Sequence, residues 1–215
     1  MEIKVMKRVL DRNRDMAARV RDRLGSSNVV MINMISSPGA GKTSLLEHIC
    51  HLLGDKMRIA VIEGDVATDR DAQRIKKYEV PIVLINTDGG CHLDSNSIDI
   101  ALGEFDLDNL DVVFVENVGN LVCPSHFDLG ETLKLAVVST TEGDDKPVKY
   151  PMLFKEARAV VLNKIDLMQY TNFDHSSFLS GLREVNSPVP LFEVSCRTGE
   201  GLEEFMEWVL EEAGN

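Results

Sequence analysis

The sequence predicts an α/β fold, a mostly parallel central sheet of about seven strands with helices on both faces. Three observations carry that prediction. Apolar, β-rich runs recur at 29–35, 57–63, 80–86, 111–116, 133–139, 158–163 and 189–194, and most are nearly continuous rather than alternating, as strands covered on both faces require. Helical stretches at 43–53, 69–79, 94–103, 174–185 and 201–212 fall between many of them, the alternation that builds parallel sheets. The third observation is local. Residues 29–46, VVMINMISSPGAGKTSLL, read as a strand, a glycine-bearing loop and a helix start, in that order.

A chain of 215 residues with ordinary globular composition suits one domain, 1–215, with no internal repeat or linker. At its start, Met6, Val9, Leu10, Met16, Ala17, Val20 and Leu24 recur near helical spacing and Gly25 follows, so 1–25 reads as an amphipathic helix packed on the sheet. A net charge of -12 argues against a nucleic-acid backbone as partner, because that binding rests on clustered Lys and Arg. No apolar run reaches the roughly 18 residues that span a bilayer, and the charged N-terminus lacks a signal core, so a cytoplasmic protein is expected. In a reducing compartment the cysteines Cys50, Cys91, Cys123 and Cys196 are small core residues or functional thiols rather than a disulfide framework.

In such a sheet, ligands bind beyond the carboxyl ends of the strands, so each loop after a strand is examined for chemistry. The first holds Ser36, Ser37, Pro38, Gly39, Ala40, Gly41, Lys42, Thr43 and Ser44. Glycines let backbone N–H groups close around phosphate oxygens, Lys42 reaches the outer phosphates and Thr43 holds Mg²⁺, the logic of a P-loop NTPase. Ser36 stands where the pattern has its first glycine. After the second strand come Glu63, Gly64, Asp65, Asp69 and Asp71; Asp65 is expected to position the attacking water and bind Mg²⁺, and Asp69 or Asp71 to be structural. After the fourth come Glu116, Asn117, Val118, Gly119 and Asn120, where a nucleotide hydrolase places the acid beside its Mg²⁺ and a loop that senses the γ-phosphate.

The loop after the sixth strand reads Asn163, Lys164, Ile165, Asp166, similar to the N-K-x-D of GTPases. A carboxylate on Asp166 accepts both the ring N–H and the exocyclic amine of guanine, a donor pair that adenine lacks, and the Lys164 stem can lie along the base. Ser195 and Cys196 follow the last strand, where GTPases back the base. No arginine finger is evident, so slow turnover is expected, raised by a group such as Lys146 or Lys149 supplied in trans.

With these loops in place, VIEGDVATDRDAQRI, INTDGGCHLD, ENVGNLVCP and EGDDKPVKYP resemble the hydrogenase nickel-incorporation GTPase family HypB, of the SIMIBI class of P-loop GTPases. The resemblance runs from about residue 29 to the C-terminus. It implies a GTP-hydrolysing metallochaperone that forms a GTP- or metal-promoted homodimer and helps insert nickel into the hydrogenase large subunit, with a HypA-like nickel/zinc protein as partner. Its metal site matches Cys91, His92 and Cys123. Thiolates beside an imidazole are donors suited to Ni²⁺ or Zn²⁺, and two thiolates from each of two chains would close a four-coordinate site. A metal switch follows as expectation: loss of the γ-phosphate changes the Cys91–Cys123 spacing. His126 forms a C-x-x-H with Cys123 and is read as incidental; Cys50 and His51 are read as core and surface neighbours. The N-terminal C-x-x-C-G-C and His-rich tract of some members have no counterpart here. Two other readings stay open: a UreG-like GTPase serving another nickel enzyme, and a metal-binding module with a vestigial pocket. Cys91-His92 and ENVGNLVCP favour the hydrogenase client over the first, and intact Lys42, Thr43 and Asp166 argue against the second.

Overall fold

All of the expected strands form and pair in parallel, giving a seven-stranded sheet in the order β3-β2-β4-β1-β5-β6-β7. The computed structural model describes the backbone of residues 2–65 and 70–214, and the side chains of 11–64 and 71–214. Its strands are β1 (Val30–Ser36), β2 (Ile59–Asp65), β3 (Ile82–Asn86), β4 (Val112–Glu116), β5 (Leu133–Ser139), β6 (Ala157–Asn163) and β7 (Leu191–Glu193). Strand β7 is shorter than expected, with Pro188 and Pro190 just ahead of it unable to donate to a ladder. The described helices are α1 (Glu2–Ser26), α2 (Lys42–Leu53), α3 (Arg70–Lys76), α4 (Ser95–Leu102), α5 (Cys123–His126), α6 (Lys146–Lys149), α7 (Pro151–Glu156), α8 (His175–Val185) and α9 (Leu202–Gly214). Helices α5, α6 and α7 go beyond the sequence reading. Each has proline in its first turn, where the missing N–H has no helical acceptor to lose.

The pleat divides the core. Ile32 and Met34 of β1 pack with Phe114 of β4 under α2 and α9, whereas Met31 of β1 joins Val113 and Val115 under α1 and α4. Ile35 and Ala136 meet α7 and α8 farther along that second face. This two-sided burial is why the strands read as continuous apolar runs. On α2, Leu45, Leu46, Ile49 and Leu53 are fully buried. At about 2 kcal/mol per large apolar side chain these anchor the helix by on the order of 8 kcal/mol before chain entropy is subtracted. The glycine-rich loop in front of α2 therefore hangs from a fixed end. The N-terminal helix is held by buried Ala17, Val20 and Leu24; the side chains of Met6, Val9 and Leu10 lie outside the described residues. Among the described residues no helix is long and apolar enough to cross a membrane.

Candidate functional site

Between β1 and α2 the chain turns through left-handed backbone at Gly39 (φ 79°) and Gly41 (φ 103°). Gly41 has a second constraint: a Cβ there would stand 2.3 Å from Asn163 Nδ2. The loop wraps one wall of a cavity of about 490 Å³, whose lining includes Lys42, Thr43, Ser44, Glu63, Glu116 and Asn117. Ser36 replaces a glycine to some purpose, since its hydroxyl donates to Ser37 O (2.7 Å) and accepts from Lys42 Nζ (2.7 Å). Burial holds the Lys42 pKa below the usual lysine value, opposed by the charges of Glu116, Asp71 and Glu142. Glu142 also accepts from the Ser37 hydroxyl and caps its own turn at Ser139, tying the loop after β5 to the phosphate loop.

Opposite the start of α2 two acids face the cavity from neighbouring strands, Glu63 of β2 in register with Glu116 of β4. Thr43 Oγ1 donates to Glu116 Oε1 (2.7 Å), while Glu116 Oε2 is buried with no hydrogen-bond partner among the described residues. Burial raises the Glu116 pKa against the pull of Lys42 and Thr43. A hydroxyl and a carboxylate oxygen with spare lone pairs, beside a cavity, are hard oxygen donors of the kind Mg²⁺ takes. The structure thus brings Thr43 and Glu116 together as expected, and places Glu63, one of the acids at the end of the second strand, beside them. The Asp65 side chain and residues 66–69 lie outside the described residues, and with them the expectations for Asp65 and Asp69. Asp71 lies on the cavity wall and pairs with Arg74 (3.2 Å), which also reaches Ser44 Oγ (3.0 Å) and Glu47 (2.5 Å). Arg74 is a cavity-lining cation that the sequence does not mark, because only the fold brings α3 against α2.

At the far side of the phosphate loop Asn163, buried at the end of β6, holds three segments at once. Its Nδ2 donates to Ala40 O (2.9 Å), and its Oδ1 accepts from Lys164 N (2.7 Å) and Cys196 N (3.2 Å). Lys164 adopts φ 62° and donates its Nζ to Gly39 O (2.6 Å). Ser195 Oγ donates to Asp166 Oδ1 (2.7 Å), aiming the carboxylate, and the Cys196 thiol is pushed up to about 11 by burial, so it stays protonated. Sequence-distant Asn163, Lys164, Asp166, Ser195 and Cys196 therefore converge on one end of the phosphate loop.

Beyond the other end lies the sulfur cluster. The ligand atoms of Cys91, His92 and Cys123 lie within 4.8 Å of one another, as the only such group among the described residues. Cys91 Sγ is 3.4 Å from His92 Nδ1, and the His92 ring stacks on Phe127 with centroids 3.7 Å apart. Burial lowers the His92 pKa, opposed by Asp94, which favours the neutral ring that can ligate a metal. His126 stands outside the group, on a separate cavity with Arg21 and Glu131. Cys50 is a buried thiol raised to about 12, and His51 is exposed. Lys149 is paired with Asp145 at 2.5 Å and Lys146 stands 5.7 Å from the Tyr150 ring.

The CobW/HypB/UreG nucleotide-binding domain model matches residues 27–193. The hydrogenase maturation factor HypB of Escherichia coli (strain K12) is 45% identical over 201 residues, spanning 94% of this chain and 69% of that protein. Among solved structures, the hydrogenase maturation factor HypB of Archaeoglobus fulgidus superposes with a TM-score of 0.89 at 33% identity, covering 95% of this chain and 100% of that one. HypB from Helicobacter pylori in complex with nickel gives 0.89 at 35% identity, covering 94% and 95%. The sheet order, the phosphate loop and these superpositions make the fold that of a P-loop NTPase.

Proposed function

The chain belongs to the CobW/HypB/UreG nucleotide-binding family, and within it to the hydrogenase maturation factors HypB, and we propose that it is a GTP-hydrolysing nickel metallochaperone. In this reading GTP lies along the carboxyl edge of the sheet with guanine at Asp166, backed by Ser195 and Cys196, and its phosphates in the Gly39–Ser44 loop. The loop amides and Lys42 offset charge on the phosphates, and Lys42 is already oriented by Ser36. Thr43 and Glu116 would hold Mg²⁺, which draws electron density from the phosphate oxygens when bound. Asp65 positions the attacking water, the role its place at the end of β2 suggests. Nickel or zinc is cargo, carried by Cys91, His92 and Cys123, and thiolates from a second copy complete the four-coordinate set in a homodimer.

One observation supports joining these two sites into a single device. Residues 116–123 run from the phosphate cavity to the cluster. A Cβ on Gly119 would come within 3.0 Å of Pro38 in the phosphate loop, while Asn120 Nδ2 donates to Cys91 O (3.4 Å) and Cys123 is a cluster member. A γ-phosphate that displaces Gly119 therefore moves one cluster residue relative to the others. The test is phosphate release and nickel affinity measured on the same protein. Release should be specific to GTP and lost in Lys42→Ala, and nickel affinity should differ between GDP and a non-hydrolysable GTP analogue. Full release by Lys42→Ala sinks the enzymatic half, and nickel affinity indifferent to nucleotide sinks the switch. The client is proposed to be the hydrogenase large subunit, delivered to with a HypA-like protein; pull-down against urease instead would assign a UreG-like role.

A further inference from the structure

We infer that Asn117 is the positioning residue that passes the state of the phosphate end of the cavity to the metal cluster, an inference that rests on the nucleotide-sensitive site proposed above. Asn117 is almost fully buried, directly after Glu116, and its backbone N donates to Met34 O (3.1 Å), seating it between β4 and β1. Its side chain faces two ways. Oδ1 accepts from Val118 N (2.9 Å) and, more weakly, from Leu93 N (3.4 Å), the residue immediately after His92. Nδ2 donates to Asn33 Oδ1 (3.1 Å), and Asn33 Nδ2 donates to Glu131 Oε1 (3.3 Å).

The chemistry of this buried chain fixes its direction. Glu131 Oε2 accepts from Leu129 N (2.7 Å), and Lys134 lies 3.8 Å from Oε1. Burial raises the Glu131 pKa, opposed by the Lys134 charge and the Leu129 N–H; in its ionised form the carboxylate only accepts, so Asn33 gives it a donor and turns its own oxygen toward Asn117. Asn117 in turn donates to Asn33, so its nitrogen faces the core and its oxygen faces the loops. The amide is thereby locked from behind, and it cannot flip to release Leu93 without leaving a buried group unpaired. Leu93 is gripped from the other side as well, because its Cδ atoms lie so close to Gly64 that a Cβ there would stand 2.9 Å away. Gly64 and Asn117 both line the nucleotide cavity. The backbone that presents His92 and Cys91 is thus held at Leu93 by two walls of the phosphate site, while Cys123 is carried on the continuation of one of them.

A second amide provides the control. Asn13 of α1 joins the segments leaving both halves of the cluster, accepting from Ser95 N (3.0 Å) and donating to Asp128 O (2.7 Å), and it does not line the nucleotide cavity. Its loss should loosen the cluster without touching the coupling.

The experiment is nickel titration of the full chain under saturating GDP and under a saturating non-hydrolysable GTP analogue. The parent should show a ratio of affinities of roughly tenfold, within the usual range of coupling between sites. Asn117→Ala should bring the ratio to about one, whereas Asn13→Ala should weaken nickel in both states and keep the ratio. A ratio retained in Asn117→Ala overturns this inference alone, and a ratio of about one in the parent overturns the switch reading and this inference with it. Amide hydrogen exchange on the parent provides an independent check should the variant fail to fold. Leu93 N–H should change its protection between the two nucleotide states; equal exchange in both overturns the inference.

Discussion

Replacing Asn163 with alanine should damage the guanine end and the phosphate end of the site together. The side chain is buried and makes three hydrogen bonds, to Ala40 O, from Lys164 N and from Cys196 N. Truncation leaves three backbone groups needing partners, each worth ~1–3 kcal/mol if it stays dry. Lys164 and Cys196 are only partly buried, so water can replace part of what their amides lose, whereas Ala40 is fully buried. A total of about 3 kcal/mol is the reasonable sum, with Ala40 O contributing most. If the loops keep their shape the cost falls on folding; if they relax, nucleotide must rebuild them and the cost falls on binding, at about 100-fold in affinity. Urea unfolding and GDP titration of the same variant therefore have to be read together. Gly41→Ala should reproduce the defect from the other side, because its new methyl would drive Asn163 Nδ2 away and add the strain of a side chain at φ 103°. An Asn163→Ala protein with parental stability and parental GDP affinity would refute the idea that this amide clamps the two loops.

Asp166→Asn should lower GTP affinity by roughly 10- to 100-fold while leaving ATP binding unchanged, since one acceptor of guanine becomes a donor; competition titration with both nucleotides checks it. Glu116 has a folded pKa raised by burial, so its contribution to stability is full below the ordinary carboxylate range and is lost as pH rises through the raised value. Mg²⁺ needs the ionised form, so Mg²⁺ affinity should climb across that same window and Glu116→Gln should flatten the climb, as read by calorimetry with GDP at several pH values. Arg21→Ala should cost only about 0.5–1 kcal/mol, because the Arg21–Asp128 pair is half exposed and screened. Burial pushes the Asp128 pKa up but Arg21 and the Gly130 N–H outweigh it, leaving the value lowered. The stabilisation is therefore present above the ordinary aspartate value and lost as pH falls through the lowered one, so the variant and parent should converge in acid unfolding.

The strands were legible because parallel strands buried on both faces leave runs such as VVFV and RAVVLN that little else explains. The phosphate loop and N-K-x-D were legible because each is contiguous and its chemistry is local. What the sequence could not display is contact between distant segments. Asn163 is the tie between the two nucleotide loops, yet in the sequence it is only the first letter of a motif. Arg74 has no signal of its own in the sequence, and only the packing of α3 brings it to Ser44 and Glu47. Asn33 sits inside an apolar strand, where a lone polar residue was a signal available to be questioned, and its partners Asn117 and Glu131 are supplied by the fold. Ser36 looked like a lapse from the glycine pattern and is the acceptor that aims Lys42.

The order of the strands also decides what kind of coupling is available. From β6, which carries Asn163, to β1, which carries the phosphate loop, the sheet advances two strands; from β1 to β3, ahead of Cys91, it advances three. Cys91 nevertheless meets Cys123, which follows β4 beside β1, so the cluster residues gather next to the strand that carries the phosphate loop. The contacts that join the phosphate loop to the cluster residues run through the ends of the intervening strands β2 and β4. Those strand ends and the loop after β4 hold Gly64, Asn117 and Gly119, and each of them contacts either Leu93 or Pro38. On the proposed switch, a change at the phosphate end would reach Cys91, His92 and Cys123 through this packed backbone. On that reading the buried Asn117 amide would set how much of the change arrives, because a tightly packed core behind it absorbs little movement.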